Sequence, residues 1–67
     1  MNAEIVAVGS ELLTPFRQDT NSLFLTERLN ELGVEVRFKT VVGDSRADLV
    51  AVARIAIVRA NIVIFMG

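Results

Sequence analysis

Two kinds of apolar segment alternate along this chain of 67 residues, and their order limits the folds that are open to it. Three short apolar runs rich in β-branched residues predict strands at Ala3–Val8, Val34–Thr40 and Ile62–Met66. Helical spacing of apolar residues predicts helices from about Thr20 to Leu32 and from Ser45 to about Ala60. The order strand, helix, strand, helix, strand indicates an α/β fold with a parallel sheet.

The character of the strands predicts their order in the sheet. The first and third are almost continuously apolar, which is typical of strands buried on both faces. The second alternates: Val34, Val36 and Phe38 are predicted to share one face, and charged residues the other, as in an edge strand. These features favour the flavodoxin-like order 2-1-3. Right-handed crossovers then place the helices on opposite faces, which gives three α/β/α layers with a topological switch point between strands 1 and 3.

Composition excludes several classes of function. The chain has no cysteine and no histidine, so a bound metal would need oxygen ligands, which suit a magnesium-like ion. A net charge of -1 without a basic stripe argues against a nucleic-acid partner. No apolar run approaches the ~20 residues that span a bilayer, and the N-terminus lacks a signal-peptide pattern, so we expect no membrane and a cytoplasmic location.

The first candidate site follows the first strand. In Gly9-Ser10-Glu11, the glycine allows backbone N–H groups to approach a phosphate, and Ser10 adds a donor. Glu11 is a candidate metal ligand or general base. The alternative is a turn that only ends the strand, followed by a predicted loop over Ser10–Gln18. Neither of the glycine-rich dinucleotide and P-loop motifs is present.

The second candidate site opens the first helix at Asp19-Thr20-Asn21-Ser22. A helix N-terminus with hydroxyl and amide side chains suits an anion, and Asp19 suits a metal ion. Helix capping is the alternative, although four consecutive polar residues exceed what a cap needs. Asp44 is a further candidate, with capping of the second helix as its alternative. Arg17 and Arg46 are either phosphate ligands or surface charges.

Four blocks of the sequence are distinctive together: Val8-Gly9-Ser10-Glu11-Leu12-Leu13, Asp19-Thr20-Asn21-Ser22, Leu29-x-x-Leu32-Gly33-Val34-x-Val36 and Val41-Val42-Gly43-Asp44. They resemble the N-terminal domain of the CinA (competence/damage-inducible protein A) family. This domain belongs to the molybdopterin-binding superfamily of MoaB, MogA and gephyrin-like proteins. The resemblance covers the whole chain without a gap.

The resemblance implies a three-layer domain with a ligand cleft. CinA-like domains are associated with metal-dependent hydrolysis of the pyrophosphate of ADP-ribose, and a separate C-terminal domain, when present, deamidates nicotinamide mononucleotide. MoaB and MogA relatives bind molybdopterin in the same cleft. The resemblance thus implies a nucleotide or pterin ligand and a divalent metal, magnesium-like or cobalt, with Asp19 and Glu11 as its candidate ligands. The ligand-facing positions that carry over are Gly9, Ser10, Glu11, Asp19, Thr20, Asn21 and Asp44.

The sequence departs from the family at two places. Pro15 replaces a glycine of many relatives, and Met66 replaces a small hydroxyl residue that usually precedes a double glycine. The family's next motif, a glycine-rich turn leading to Gly-Pro-Thr and two acidic residues, is missing. We therefore expect residues 1–67 to be the N-terminal part of a single MoaB/Mog-like domain, truncated after the third strand.

Three functions remain open for this chain. The first is part of an ADP-ribose-hydrolysing domain, inactive on its own. The second is a molybdopterin or nucleotide-binding module without turnover. The third is an inert, self-associating fragment. In each case we expect the chain to form homo-oligomers, because its third strand and second helix carry more apolar surface than two helices and three strands can bury.

Overall fold

The computed structural model describes all 67 residues and has the predicted order of elements. A single 3-10 turn at Ser10–Leu13 corrects the expectation of an irregular loop over Ser10–Gln18. It forms because Leu12 N–H donates to the Gly9 carbonyl and Thr14 N–H to the Glu11 carbonyl. The remaining elements are β1 (Asn2–Val8), α1 (Thr20–Glu31), β2 (Glu35–Val42), α2 (Arg46–Arg59) and β3 (Ile62–Met66).

The strands form one parallel sheet in the order β2-β1-β3, as predicted. On one face, Ala3 and Ile5 of β1 pack with Leu29 of α1. On the other face, Val6 of β1 packs with Ala56 of α2. The helices therefore cover opposite faces, and the three-layer α/β/α architecture is confirmed. The sheet has only three strands, so β2 and β3 each pair along one edge.

Both helices begin at side-chain caps that the sequence indicates. The Asp19 carboxylate accepts a hydrogen bond from Ser22 N–H at 3.0 Å and so caps α1. The Ser45 hydroxyl accepts one from Asp48 N–H at 3.3 Å and caps α2. After α1, Gly33 turns the chain with φ 79°, a conformation that glycine adopts without steric cost.

A β-bulge in β2 corrects the predicted facing of its side chains. Ala3 pairs with Val36, but the next residue of β1, Glu4, pairs with Phe38, so β2 has one extra residue at this point. Val36 packs on the α1 side of the sheet. Phe38 instead lies on the α2 side, with the Arg59 guanidinium 3.8 Å from its ring centroid. The expectation that Val34, Val36 and Phe38 share a face is therefore wrong for Phe38, because the bulge shifts the alternation.

A carboxylate is buried in the middle of the sheet. Glu4 has no exposed surface and is held by Arg59, whose Nε and Nη2 donate to its two oxygens at 2.8 and 2.9 Å. The Thr40 hydroxyl donates to the same carboxylate at 2.6 Å. Hydrogen bonding from Arg59 lowers the pKa of Glu4 and Thr40 acts in the same direction, which outweighs the opposing effect of burial.

The outer face of α2 is apolar. Although the helix is apolar around much of its circumference, only Ala56 is buried. Val58 on the outer side is 85% exposed, and in β3 the ring of Phe65 is 48% exposed beside a strand edge that has no partner. No helix in the structure combines the length and the apolar character that crossing a membrane requires.

We expect the chain to self-associate in solution. The unpaired edge of β3 and the outer face of α2 both gain by contact with another copy, because pairing satisfies backbone groups and removes apolar side chains from water. Sedimentation velocity over a hundredfold concentration range should show a rising weight-average mass. A constant monomer mass, with slowly exchanging amides in Ile62–Met66, would contradict this expectation.

Substitution of Arg59 should lower the stability of the protein more than substitution of Glu4. Arg59→Met leaves a charge in the core without a partner, whereas Glu4→Met leaves an arginine whose side chain is already 37% exposed and can turn to water. Urea unfolding should therefore show a clearly larger loss of stability for Arg59→Met. Equal losses in the two variants would contradict the burial of this pair.

Titration of Glu4 should change the stability of the wild type and of Arg59→Met in opposite directions as pH falls. In the wild type the folded pKa of Glu4 lies below its ordinary value, so this contribution to stability is present above that value and is lost as pH falls. In Arg59→Met, burial raises the folded pKa, so stability is instead gained as pH falls. Subtracting the pH profile of Glu4→Gln isolates both effects from those of the other carboxylates.

Candidate functional site

A small polar cavity lies where the carboxyl ends of β1 and β3 meet the N-terminus of α1. Its volume is about 110 Å³, and Ala7, Met66 and Gly67 contribute the strand side. This is the switch point between β1 and β3, where open α/β sheets bind their ligands. The polar residues around it are Glu11, Arg17, Gln18, Asp19, Thr20 and Asn21.

Four of the seven candidate residues line this cavity. Glu11 comes from the 3-10 turn, and Asp19, Thr20 and Asn21 open α1. The first turn of a helix carries N–H groups without intrahelical partners and the positive end of the helix dipole. One residue of the first block and three of the second therefore face one space, with carboxylate, hydroxyl and amide groups beside a helix N-terminus.

Arg17 supplies the cavity's positive side chain. The ion pairs of the chain are Arg28–Glu31, Arg37–Glu35 and Arg59–Glu4, so none of them engages this guanidinium. Arginine binds phosphate with a planar fork of donors. Of the two arginines considered from sequence, Arg17 lies at the cavity, whereas Arg46 lies on α2 beside Val50 and Arg54.

Gly9 supports the site without lining it. Its N–H donates to the Val42 carbonyl at 2.9 Å, which extends the β1–β2 pairing beyond the strand end. A Cβ atom at this position would lie 2.6 Å from Oε1 of Glu11. The absence of a side chain at Gly9 therefore leaves room for the Glu11 carboxylate to fold back against the backbone.

Ser10 and Asp44 bond to each other outside the cavity. Ser10 N–H donates to the Asp44 carboxylate at 3.2 Å, and Asp44 N–H donates to the Ser10 hydroxyl at 2.9 Å. Gly43 permits this approach, since a Cβ there would lie 3.2 Å from the Ser10 hydroxyl oxygen. The pair fastens the 3-10 turn to the β2–α2 loop. Capping of α2 by Asp44 is thus wrong, because Ser45 is the cap; a ligand role for the pair stays a prediction.

The carboxylates at the cavity suit a metal ion that is coordinated partly by water and by the ligand, and not one that is enclosed by protein side chains. One oxygen of Asp19 accepts from Ser22 N–H, while Glu11 is exposed. No group of three or more acidic residues in the chain is placed to hold a metal ion. A magnesium-like ion bound here by Asp19 and Glu11 would complete its shell with water and ligand phosphate oxygens, as Mg²⁺ commonly does. Their role as metal ligands stays a prediction.

Two features escaped the sequence reasoning. Gln18 lines the cavity because it directly precedes the cap of α1, and nothing in its local sequence marks it. The Glu4–Arg59 pair lies away from the cavity, and the sequence does contain a feature that indicates it. A lone acid inside a strand buried on both faces needs a cationic partner, and Arg59 ends the helix that leads to the neighbouring strand.

The class of protein follows from sequence comparison. Residues 4–67 match the family described as "Probable molybdopterin binding domain". The match covers nearly the whole chain, so the chain belongs to this molybdopterin-binding domain family. The three parallel strands and the cavity at their carboxyl ends are in keeping with that membership.

Within that family the similar proteins are of the CinA kind. A CinA-like protein of Koribacter versatilis is 76% identical over all 67 residues. A putative competence-damage inducible protein of a Geobacillus species is 54% identical over the same length. The chain spans 16% of the length of each of these relatives. The crystal structure of CinA from Thermoplasma acidophilum superposes with a TM-score of 0.91 at 30% identity, over 96% of this chain and 38% of that one. The resemblance to the CinA family is confirmed.

The two bonds between Ser10 and Asp44 should contribute separately, because each joins the side chain of one residue to the backbone N–H of the other. We expect Ser10→Ala and Asp44→Ala each to lower the free energy of unfolding by about 0.5–1.5 kcal/mol, and the double variant to lose about the sum of the two. Urea unfolding measures all three. Ser45→Ala, which removes a separate cap, should add its own loss of about 1 kcal/mol to either variant. A double variant that is no less stable than the single variants would contradict two separate bonds.

Proposed function

We propose that this chain provides a phosphate-binding part of a CinA-type nucleotide site, whose reaction is metal-dependent hydrolysis of the pyrophosphate of ADP-ribose. The observation that carries the proposal is the polar cavity at the β1–β3 switch point, lined by Arg17 and by the opening residues of α1. In the same proposal, residues 1–67 are the N-terminal part of one MoaB/Mog-like domain. Its similarity to CinA-like proteins supports the CinA type of the site.

The residues at the cavity provide charged and neutral hydrogen-bond donors for a pyrophosphate. Arg17 offers a charged fork of donors, and the free N–H groups of the first turn of α1 favour an anion. The hydroxyl of Thr20 and the amide of Asn21 add neutral donors that orient the phosphate. Phosphoryl transfer depends on such positioned donors, because charge is spread over the equatorial oxygens in the transition state.

The carboxylates have the complementary role. Glu11 and Asp19 repel a bare phosphate, so their presence in the cavity suits a ligand that arrives with a divalent cation. A bound magnesium-like or cobalt ion would neutralise the pyrophosphate and make a coordinated water more acidic. Glu11, exposed at the rim, is the residue in position to orient such a water, while Asp19 also keeps the helix N-terminus in place.

A molybdopterin or nucleotide-binding module without turnover is the second candidate. The family description supports binding of a pterin, and the two carboxylates at the cavity are few for a catalytic metal centre. The two functions share the phosphate-binding residues and differ in hydrolysis alone. Turnover of ADP-ribose therefore discriminates between them.

The test uses a chimera in which this chain replaces the matching segment of the Koribacter versatilis CinA-like protein, which is 76% identical to it. We expect the chimera to hydrolyse ADP-ribose with magnesium or cobalt, and the 67-residue chain alone to bind pyrophosphate without turnover above its Glu11→Ala variant. Asp19→Asn in the chimera should lower kcat about tenfold or more. It should leave the melting temperature unchanged, since asparagine caps a helix as well as aspartate.

Ser45→Ala is the matched control for the cap. It should lower stability by about 1 kcal/mol and leave turnover unchanged, the reverse of Asp19→Asn. If the chimera binds ADP-ribose without hydrolysing it while the unmodified relative is active, the binding module is favoured. If the 67-residue chain does not bind pyrophosphate by isothermal titration in the presence of magnesium, the phosphate site itself is refuted.

A further inference from the structure

An exposed aromatic residue precedes Arg17 in the loop that supplies this arginine to the cavity. Phe16 is 91% exposed, far more than Phe24 at 58% or Phe65 at 48%. The residue that follows it, Arg17, lines the cavity. A phenylalanine in water forfeits the free energy that its burial would gain, so packing within this chain does not account for Phe16.

The backbone that leads to Phe16 is fastened to the site. The Thr14 hydroxyl donates to the Glu11 carbonyl at 2.7 Å, and Phe16 N–H faces the same hydroxyl at 3.4 Å. Pro15 between them fixes one backbone dihedral angle. Phe16 therefore lies in a turn that is hydrogen-bonded to the backbone carbonyl of Glu11.

The faces of this ring are open, unlike those of two other phenylalanines. Arg28 lies over Phe24 at 5.3 Å from its centroid, and Arg59 lies over Phe38 at 3.8 Å. No cation of the chain lies over Phe16. An aromatic side chain next to a phosphate-binding arginine is the arrangement that holds a phosphorylated heterocycle, because the ring stacks on the flat base while the cation pairs with the phosphate.

We propose that Phe16 stacks on the planar heterocycle, a nucleobase or a pterin, of a ligand whose phosphate groups bind in the cavity. This proposal rests on the proposed function, and it adds to it the part of the ligand that a cavity of about 110 Å³ does not enclose. Stacking tolerates different ring systems, since each has a π-face. Phe16 thus selects for the presence of a flat ring rather than for its identity.

Tryptophan fluorescence tests the stacking directly, because the chain has no Trp and no Tyr. Phe16→Trp introduces one reporter at the proposed contact, and Phe24→Trp introduces one at an exposed control position. With magnesium present, ADP and neopterin triphosphate should quench the emission of Phe16→Trp, and inorganic pyrophosphate should not. Phe24→Trp should respond to none of the three. Quenching by only one of the two ring-bearing probes would overturn the tolerance for different ring systems and restrict the stacking to that heterocycle.

Affinity measurements on Phe16→Ala complete the test. Its affinity for ADP or neopterin triphosphate should fall about fivefold or more, the effect of one lost stacking contact, while its affinity for pyrophosphate stays the same. An unchanged affinity for every probe, or an equal loss for pyrophosphate and the ring-bearing probes, overturns the role of Phe16 and leaves the proposed function standing. If ADP binds and quenches but pyrophosphate does not bind, the phosphate site fails and the stacking stands. Absence of binding by all three probes overturns both.

Discussion

The structure depends on one strand, β1, being paired on both sides and covered on both faces. Ala3 to Ala7 of this strand are all buried, and each helix packs against alternate residues of it. Water is excluded from all five of these side chains, which is why this stretch is nearly all apolar. Glu4 is the exception, and it fits only because Arg59 and Thr40 supply charge and hydrogen bonds from α2 and β2. That one carboxylate thereby ties three elements together at the centre of the sheet.

The position of β1 also determines where the site lies. In a parallel sheet all carboxyl ends meet at one edge, so the chain leaving β1 must run over that edge before α1 begins. Hydrogen bonds hold this segment in two places: Gly9 N–H donates to the end of β2, and Ser10 N–H donates to the Asp44 carboxylate. These contacts hold Ser10 and Asp44 against each other, outside the cavity. They leave Glu11 and the opening of α1 facing the cavity.

Local rules in the sequence were sufficient for the three strands, the two α-helices, the strand order and the location of the cavity, but not for the 3-10 turn at Ser10–Leu13. The caps at Asp19 and Ser45, the turn at Gly33 and the contrast between a continuous and an alternating strand are all readable within a few residues. The features that were missed are long-range. Ser10 and Asp44 are 34 residues apart and Glu4 and Arg59 are 55 apart, and the bulge that turns Phe38 to the α2 side exists only in the pairing of two strands. Periodicity places a residue on a face but does not pair it with a distant residue; for Glu4 the sequence signals that a cationic partner is needed, and only the fold shows that this partner is Arg59.

The size of the cavity constrains what this chain recognises. Pockets that enclose a drug-sized ligand have volumes of about 300–1,000 Å³. A space of about 110 Å³, polar and open at a helix N-terminus, matches a phosphate group with its cation rather than a whole nucleotide. Recognition of the rest of such a ligand must therefore come from surfaces around the opening. On this chain the loop from Thr14 to Gln18 is the nearest such surface in sequence, since it supplies Arg17 and Gln18 to the cavity and presents Phe16 to solvent. In the proposed function, discrimination among phosphorylated ligands would therefore depend on this loop, whereas the core built on β1 determines where the cavity lies.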